Sequence, residues 1–164
     1  MASLGSALKK LKRDVNRAAF EANRSAAVQI VNDLKREGPY WDGLFEMAWE
    51  VRVGYGELPI PADQKGFDQQ ERSATANTPS RTYISLDDVP SRVKFTDTQT
   101  PDIAIGNRME YRDIALDLVP GRWRGGMPPN TAPQDWYTTY VQGGELQKAL
   151  GDGFRERFKL PGSK

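Results

Sequence analysis

Histidine and cysteine are both absent from this 164-residue chain, and their absence bounds the chemistry its side chains can do. Without His there is neither the commonest general base nor the commonest transition-metal ligand, and a Ser-His-Asp triad is impossible. Without Cys there is no disulfide, no thiolate zinc site and no thiol nucleophile. Carboxylates, Lys, Tyr and Ser remain. Asp87, Asp88, Asp97 and Asp102 are of the type a hard cation takes, but their spacing matches no calcium loop, and acidic turns account for them. Glu46 and Glu50 share one face of an extended segment at roughly 13 Å, too far apart for a glycosidase pair. Gly54-Tyr55-Gly56 lacks the third Gly and the following helix of a phosphate loop. The expectation is a protein that is not an enzyme, with no catalytic, cofactor-binding or metal-ligating residue.

Other clusters point to binding. Arg122-Trp123-Arg124-Gly125-Gly126 offers two guanidiniums and an indole. That set suits a protein-interface anchor and also suits phosphates with a stacked base; packing within a loop is the bland alternative. Lys9, Lys10, Lys12 and Arg13 form the basic side of a helix, with a partner-facing or DNA-facing role as the alternative. Tyr40, Trp41, Phe67, Arg81, Trp136 and Tyr137 join Arg122, Trp123 and Arg124 as candidate interface residues. Charge is uneven: residues 1–37 carry net +4, residues 38–120 carry −6 and residues 121–164 carry +3. Segments of opposite sign attract one another between neighbouring copies; solvated faces of a monomer are the plainer account.

The elements that must position these groups follow from periodicity. Leu4, Leu8, Leu11, Val15, Ala18, Ala22, Ala26, Ile30 and Leu34 recur at steps of three or four, one face of a helix over residues 1–37, closed by Gly38-Pro39. Phe45, Met47, Trp49, Val51 and Val53 alternate with Glu46, Ala48, Glu50 and Arg52, which predicts a half-buried strand ending near Gly54. Residues 55–81 form a long polar stretch of the length that serves function or mobility. Tyr83–Leu86, Arg92–Phe95 and Asp102–Ile105 are short strand candidates for an antiparallel sheet. Tyr111–Leu118 has a short helical face, and 120–133 is a Pro- and Gly-rich loop. Thr131 caps a helix bearing Trp136, Tyr137, Tyr140 and Val141. Gly143-Gly144 breaks it, and a last helix runs from Glu145 with Leu146, Ala149, Leu150, Phe154 and Phe158. The expected core includes Leu11, Val15, Ile30, Phe45, Met47, Trp49, Val51, Val53, Ile103 and Ile105.

Together these predict one α+β domain over residues 1–164: a long N-terminal helix on a small antiparallel sheet (44–106), then helices and a loop (107–160). At 38% hydrophobic residues the chain sits just under the globular norm, at the edge of the disordered range, and its net charge of +1 argues against a wholly disordered chain; the expectation is a folded domain with long polar loops. No apolar run approaches the ~20 residues of a membrane span. The first residues lack the apolar core of a signal peptide, so the expectation is a protein that acts where it is translated, with no membrane partner.

The long helix leads into Gly38-Pro39-Tyr40-Trp41-Asp42-Gly43-Leu44-Phe45 and then into Met47-Ala48-Trp49-Glu50-Val51-Arg52-Val53-Gly54. This order resembles the neck and tail-completion proteins of tailed bacteriophages, the head–tail joining and tail-terminator-like group. There a helix leads to a Pro-x-Asp-x-Gly-like turn and a strand of Ser-Trp-x-Val type. Pro39, Asp42, Gly43, Trp49 and Val51 match in order, with one extra residue between Pro and Asp. Ile103-Ala104-Ile105-Gly106-Asn107-Arg108-Met109-Glu110-Tyr111 resembles a later strand-and-Asn segment of that family, without its Pro before the Tyr. The resemblance implies a structural virion protein, with no cofactor, assembled in the host cytoplasm. It implies a ring of copies, commonly six, that joins the portal and adaptor to the tail proteins and lines the passage through which DNA moves non-specifically. The alternative is a small nucleic-acid-binding or regulatory protein using the basic first helix and Arg122-Trp123-Arg124.

Overall fold

The computed structural model describes residues 4–39, 44–54, 83–91, 101–108, 115–116 and 132–158. The candidate interface residues Tyr40, Trp41, Phe67, Arg81, Arg122, Trp123 and Arg124 lie outside these, as do the expected strand at 92–95, the stretch 55–81 and nearly all of 111–131.

The fold is α+β. Helix α1, Leu4–Glu37, is a single helix of 34 residues, about 50 Å long. It packs on a two-stranded antiparallel sheet of β1, Trp49–Val53, and β2, Ile103–Asn107. Trp49 pairs with Asn107, Val51 with Ile105 and Val53 with Ile103. A one-turn helix α2, Leu44–Met47, precedes β1. Two C-terminal helices, α3 (Trp136–Gln142) and α4 (Glu145–Arg157), follow. Gly144, at φ 100, makes the break between them, a conformation that costs a residue without Cβ little.

Contacts descend α1 as the C-terminal chain ascends: Trp136 meets Gly38, Gly153 meets Ala26 and Glu156 meets Ser25. At Gly153 the two backbones approach so closely that an added Cβ would collide with Ala26. The core gathers Ile30, Val31, Leu34, Phe45, Ala48, Trp49, Trp136, Tyr140 and Ala149. Its aromatics meet edge to face: Phe45 with Trp49 at 5.8 Å and with Trp136 at 6.4 Å between ring centres, the arrangement their quadrupoles favour.

Several expectations need correction. Phe45 and Met47 are not in the strand. They belong to α2, and the ladder begins at Trp49 because Asn107 is the last residue of β2 opposite it. The Asn107 side-chain amide donates to the Phe45 carbonyl at 2.7 Å, which ties down the short turn. Phe45, Ala48 and Trp49 are buried at helical spacing, so Met47 points outward and is 50% exposed. Leu11 is 51% exposed, because the body of the fold reaches only the C-terminal part of α1; Val15 is half-buried. Ile30, Phe45 and Trp49 are buried, while Val51, Val53, Ile103 and Ile105 are half-buried.

Tyr83–Leu86 is not a strand. It is an extended segment running into a 3-10 turn, Leu86–Asp88, whose backbone bonds with side chains of α1 in place of a sheet neighbour. The helix expected from Thr131 starts at Trp136, behind Asp135 in the left-handed region at φ 60, which Asp tolerates better than most residues.

Candidate interaction surface

Among the described residues, the N-terminal half of α1 carries three of the exposed large apolar side chains, the others being Met47, Tyr83 and Leu150. Leu4, Leu8 and Leu11 are 78%, 57% and 51% exposed. At 3.6 residues per turn they share one arc with half-buried Val15. Lys9, Arg13 and Arg17 lie on the opposite side, with Lys10 and Lys12 between. Residues 4–17 hold five basic groups and one acid, Asp14, and so carry net +4. Among the described residues the apolar arc is left exposed over about two turns, and exposed apolar patches of this kind mark interaction sites.

The rest of α1 is fastened on two faces. Beside α4, Ser25 donates to Glu156 at 3.1 Å. Over another face runs the segment 83–91, held by two side-chain clips. Asn32 donates to the Ile84 carbonyl and accepts from the Ile84 N–H, each at 2.9 Å. The buried Arg24 guanidinium donates to the Leu86 carbonyl at 2.7 Å and to the Val89 carbonyl, and pairs with Glu21 at 2.7 Å. Asp88 accepts from the Ser85 N–H at 2.7 Å and from its hydroxyl at 2.9 Å. These bonds hold the Asp88 carboxyl below the usual carboxylate range.

Glu46 and Glu50, which the alternation placed on one face, are on different elements. Glu46 is buried in α2 and faces buried Lys35, whose ammonium burial pushes below its ordinary value while Glu46 and Asp88 oppose the shift. Glu50 of β1 lies between Arg52 at 2.6 Å and Arg108 at 2.9 Å. Both carboxylates thus have cationic neighbours. Among the described residues no group of three or more acidic side chains converges on a cation position.

Of the candidate interface residues that can be placed, Trp136 is not at the surface. It is buried, with its indole N–H donated to the Ala115 carbonyl at 2.8 Å. Tyr137 is half-buried against it at 5.7 Å between ring centres. Aromatic character marked Trp136 as an anchor, but its helical spacing with Tyr140 signals core equally well. Sequence reasoning put Leu4 and Leu8 on the apolar face, set Arg24 among the basic residues off that face and passed over Asn32. The clips carry no local signal, because their partners lie 52 to 65 residues away.

Among the described residues no helix is long and apolar enough to cross a membrane. Comparison of the chain with protein-family models, curated proteins and solved structures gives no match.

Proposed function

We propose that this chain is a structural virion protein of a tailed phage, a protomer of a ring in the neck that joins the head portal complex to the tail and surrounds the DNA passage. The observation that carries the reading is the order of long helix, turn and Trp-bearing strand, joined by the pairing of Trp49 with Asn107 across β1 and β2. These are two of the residues on which the resemblance to neck and tail-completion proteins rests. The bare apolar arc of α1 supports it, since a ring protomer must offer one surface to a different surface on the next copy. Partners under this reading are copies of the chain, portal or adaptor and tail proteins, and DNA contacted without sequence preference.

Native mass spectrometry and negative-stain imaging of the purified chain test it. A closed ring, six-fold in the usual case, is expected; a chain that remains a single 18.4 kDa species counts against it. The second reading, a nucleic-acid-binding module, draws on the exposed Lys9, Lys10, Lys12 and Arg13. DNA binding by the single chain that weakens steeply with salt would favour it.

A further inference from the structure

We infer that Arg52 and Arg108, positioned by Glu50, form a clamp for one phosphate group. The clamp belongs to a single chain and stands whether or not copies close into a ring.

The ladder brings the three side chains together. Trp49 of β1 is in the core and Val51 packs against it, and successive residues of a strand point to opposite faces. Glu50 and Arg52 therefore share the other face of the sheet. On β2 that face carries Ala104, paired with Arg52, and Gly106, paired with Glu50. Arg108 follows two residues past Gly106, where its backbone N–H donates to the Ala48 carbonyl at 3.1 Å. Glu50 thus has one arginine beside it along its own strand and another diagonally across the ladder.

The way the three meet leaves the arginines with donors to spare. Arg52 donates from Nε to Glu50 Oε1 at 2.6 Å, and Arg108 brings its Nε to the other oxygen, Oε2, at 2.9 Å. Each carboxylate oxygen takes a different guanidinium, and each guanidinium is engaged only through Nε. The terminal nitrogens carry the rest of the N–H fork, and among the described residues they have no protein partner. The Arg108 contact is an ion pair without hydrogen-bond alignment, so its shielded Nε–H is unanswered as well. A carboxylate that holds two guanidiniums by one edge turns their terminal edges away from itself.

Charge and room agree. Two cations against one anion leave the trio net positive. The Arg52 and Arg108 side chains are 37% and 36% exposed, more than Glu50 at 26%. Asp102, just before β2, is exposed and pairs with neither arginine. Their neighbours on the face, Gly106 and Ala104, add no side chain beyond a methyl. Planar forks meet oxyanions bidentately, with charge-assisted bonds about twice as strong as neutral ones. A carboxylate ligand is filled by one fork, whereas the tetrahedral oxygens of a phosphate serve two forks at once. The group is either a free phosphate or one unit of a nucleic-acid backbone.

The experiment uses the full chain as wild type, R52Q, R108Q, E50Q and the control R155Q, which removes an arginine of α4 paired with Asp152. Circular dichroism with thermal melting checks folding. Inorganic phosphate is titrated at constant ionic strength and followed by phosphorus NMR and calorimetry. Saturable binding is expected in the wild type, displaced by sulfate and not by chloride. R52Q and R108Q should each weaken it about tenfold or more, and R155Q should leave it unchanged. E50Q makes the trio more positive, yet should bind more weakly because the forks lose their common anchor; tighter binding would overturn the role given to Glu50. In the wild type the Nε–H signals of Arg52 and Arg108 should move with phosphate, a reading that stands if a variant fails to fold.

A short DNA duplex, followed by fluorescence anisotropy, separates the two sources. Duplex binding that phosphate competes away, and that R52Q and R108Q weaken but R155Q does not, supports the clamp and makes the backbone its ligand. Phosphate binding with a duplex that is ignored, or bound alike by all forms, supports the clamp for the free anion. If phosphate shows no saturable effect, or R52Q and R108Q behave as R155Q does, the clamp is overturned and the trio only braces two strands. A ring that ignores phosphate overturns the clamp alone; a chain that binds phosphate and never assembles overturns the ring reading alone.

Discussion

The two halves of α1 belong to one uninterrupted helix, yet they live in opposite environments. From Phe20 to Lys35 the helix is largely covered, with Phe20, Ala22, Ala26, Ala27 and Val31 nearly or wholly buried. From Leu4 to Leu11 every residue is exposed. Size runs against burial: the arc is Leu-rich where it is bare and Ala-rich where it is covered. An apolar stripe tells which face of a helix seeks cover but says nothing about what supplies it. Small residues mark where another backbone comes close, and the large bare ones mark burial that the described residues leave unused, on the order of 1.5–3 kcal/mol for each Leu fully buried.

The contrast is breakable by substitution. Phe20 is completely enclosed, so Phe20→Ala is expected to cost about 3–5 kcal/mol of stability by urea denaturation; a loss below about 1 kcal/mol would mean that the enclosed half is not packed as described. Arg24→Met keeps much of the side-chain volume but strands the Leu86 and Val89 carbonyls. A loss of about 1–3 kcal/mol is expected, with faster proteolysis within 83–91, and Arg24→Lys should not restore it because a single ammonium lacks the fork.

Asp88→Asn sharpens the comparison on the clipped side. The folded carboxyl titrates below its ordinary value of 3.8, so its contribution is present above the unfolded pKa and is lost as pH falls through the folded one. The variant is expected to melt slightly lower than wild type at pH 7, where that contribution is fully present, and to converge with it in acid, which flattens the acid limb of a melting-temperature profile. Smallest of all, Leu8→Ala in the bare half should lie within about 0.5 kcal/mol of wild type in the single chain. A large loss there would mean that the arc is covered by the chain's own residues.

What was legible in the sequence was local. Period 3.6 gave α1 and α4, Gly143-Gly144 gave the break before α4, and the alternation from Trp49 to Val53 gave β1. The alternation overreached at Phe45 and Met47 because a four-residue step from Phe45 to Trp49 suits a helical turn as well as a strand, and only Asn107's bond to the Phe45 carbonyl decides between them. The segment 83–91 was misread for a related reason. Its β-branched and aromatic start reads as a strand, but Arg24 and Asn32 satisfy its backbone from far away in the chain. Leu4, Leu8 and Leu11 were read correctly as one face, and Leu11 wrongly as core, since periodicity contains no information about where the covering layer ends.

The meeting of Gly153 with Ala26 acts as a notch that sets axial alignment. Were α4 to slip by one residue along α1, Asp152 or Phe154 would have to occupy a space that holds no side chain at all. The bend at Gly144 and the exit point of the C-terminus are therefore locked to a single position relative to the first helix, like a ruler clamped at one graduation. Saturation mutagenesis should find position 153 among the least permissive in the protein, although it contributes no contact atoms of its own beyond the backbone.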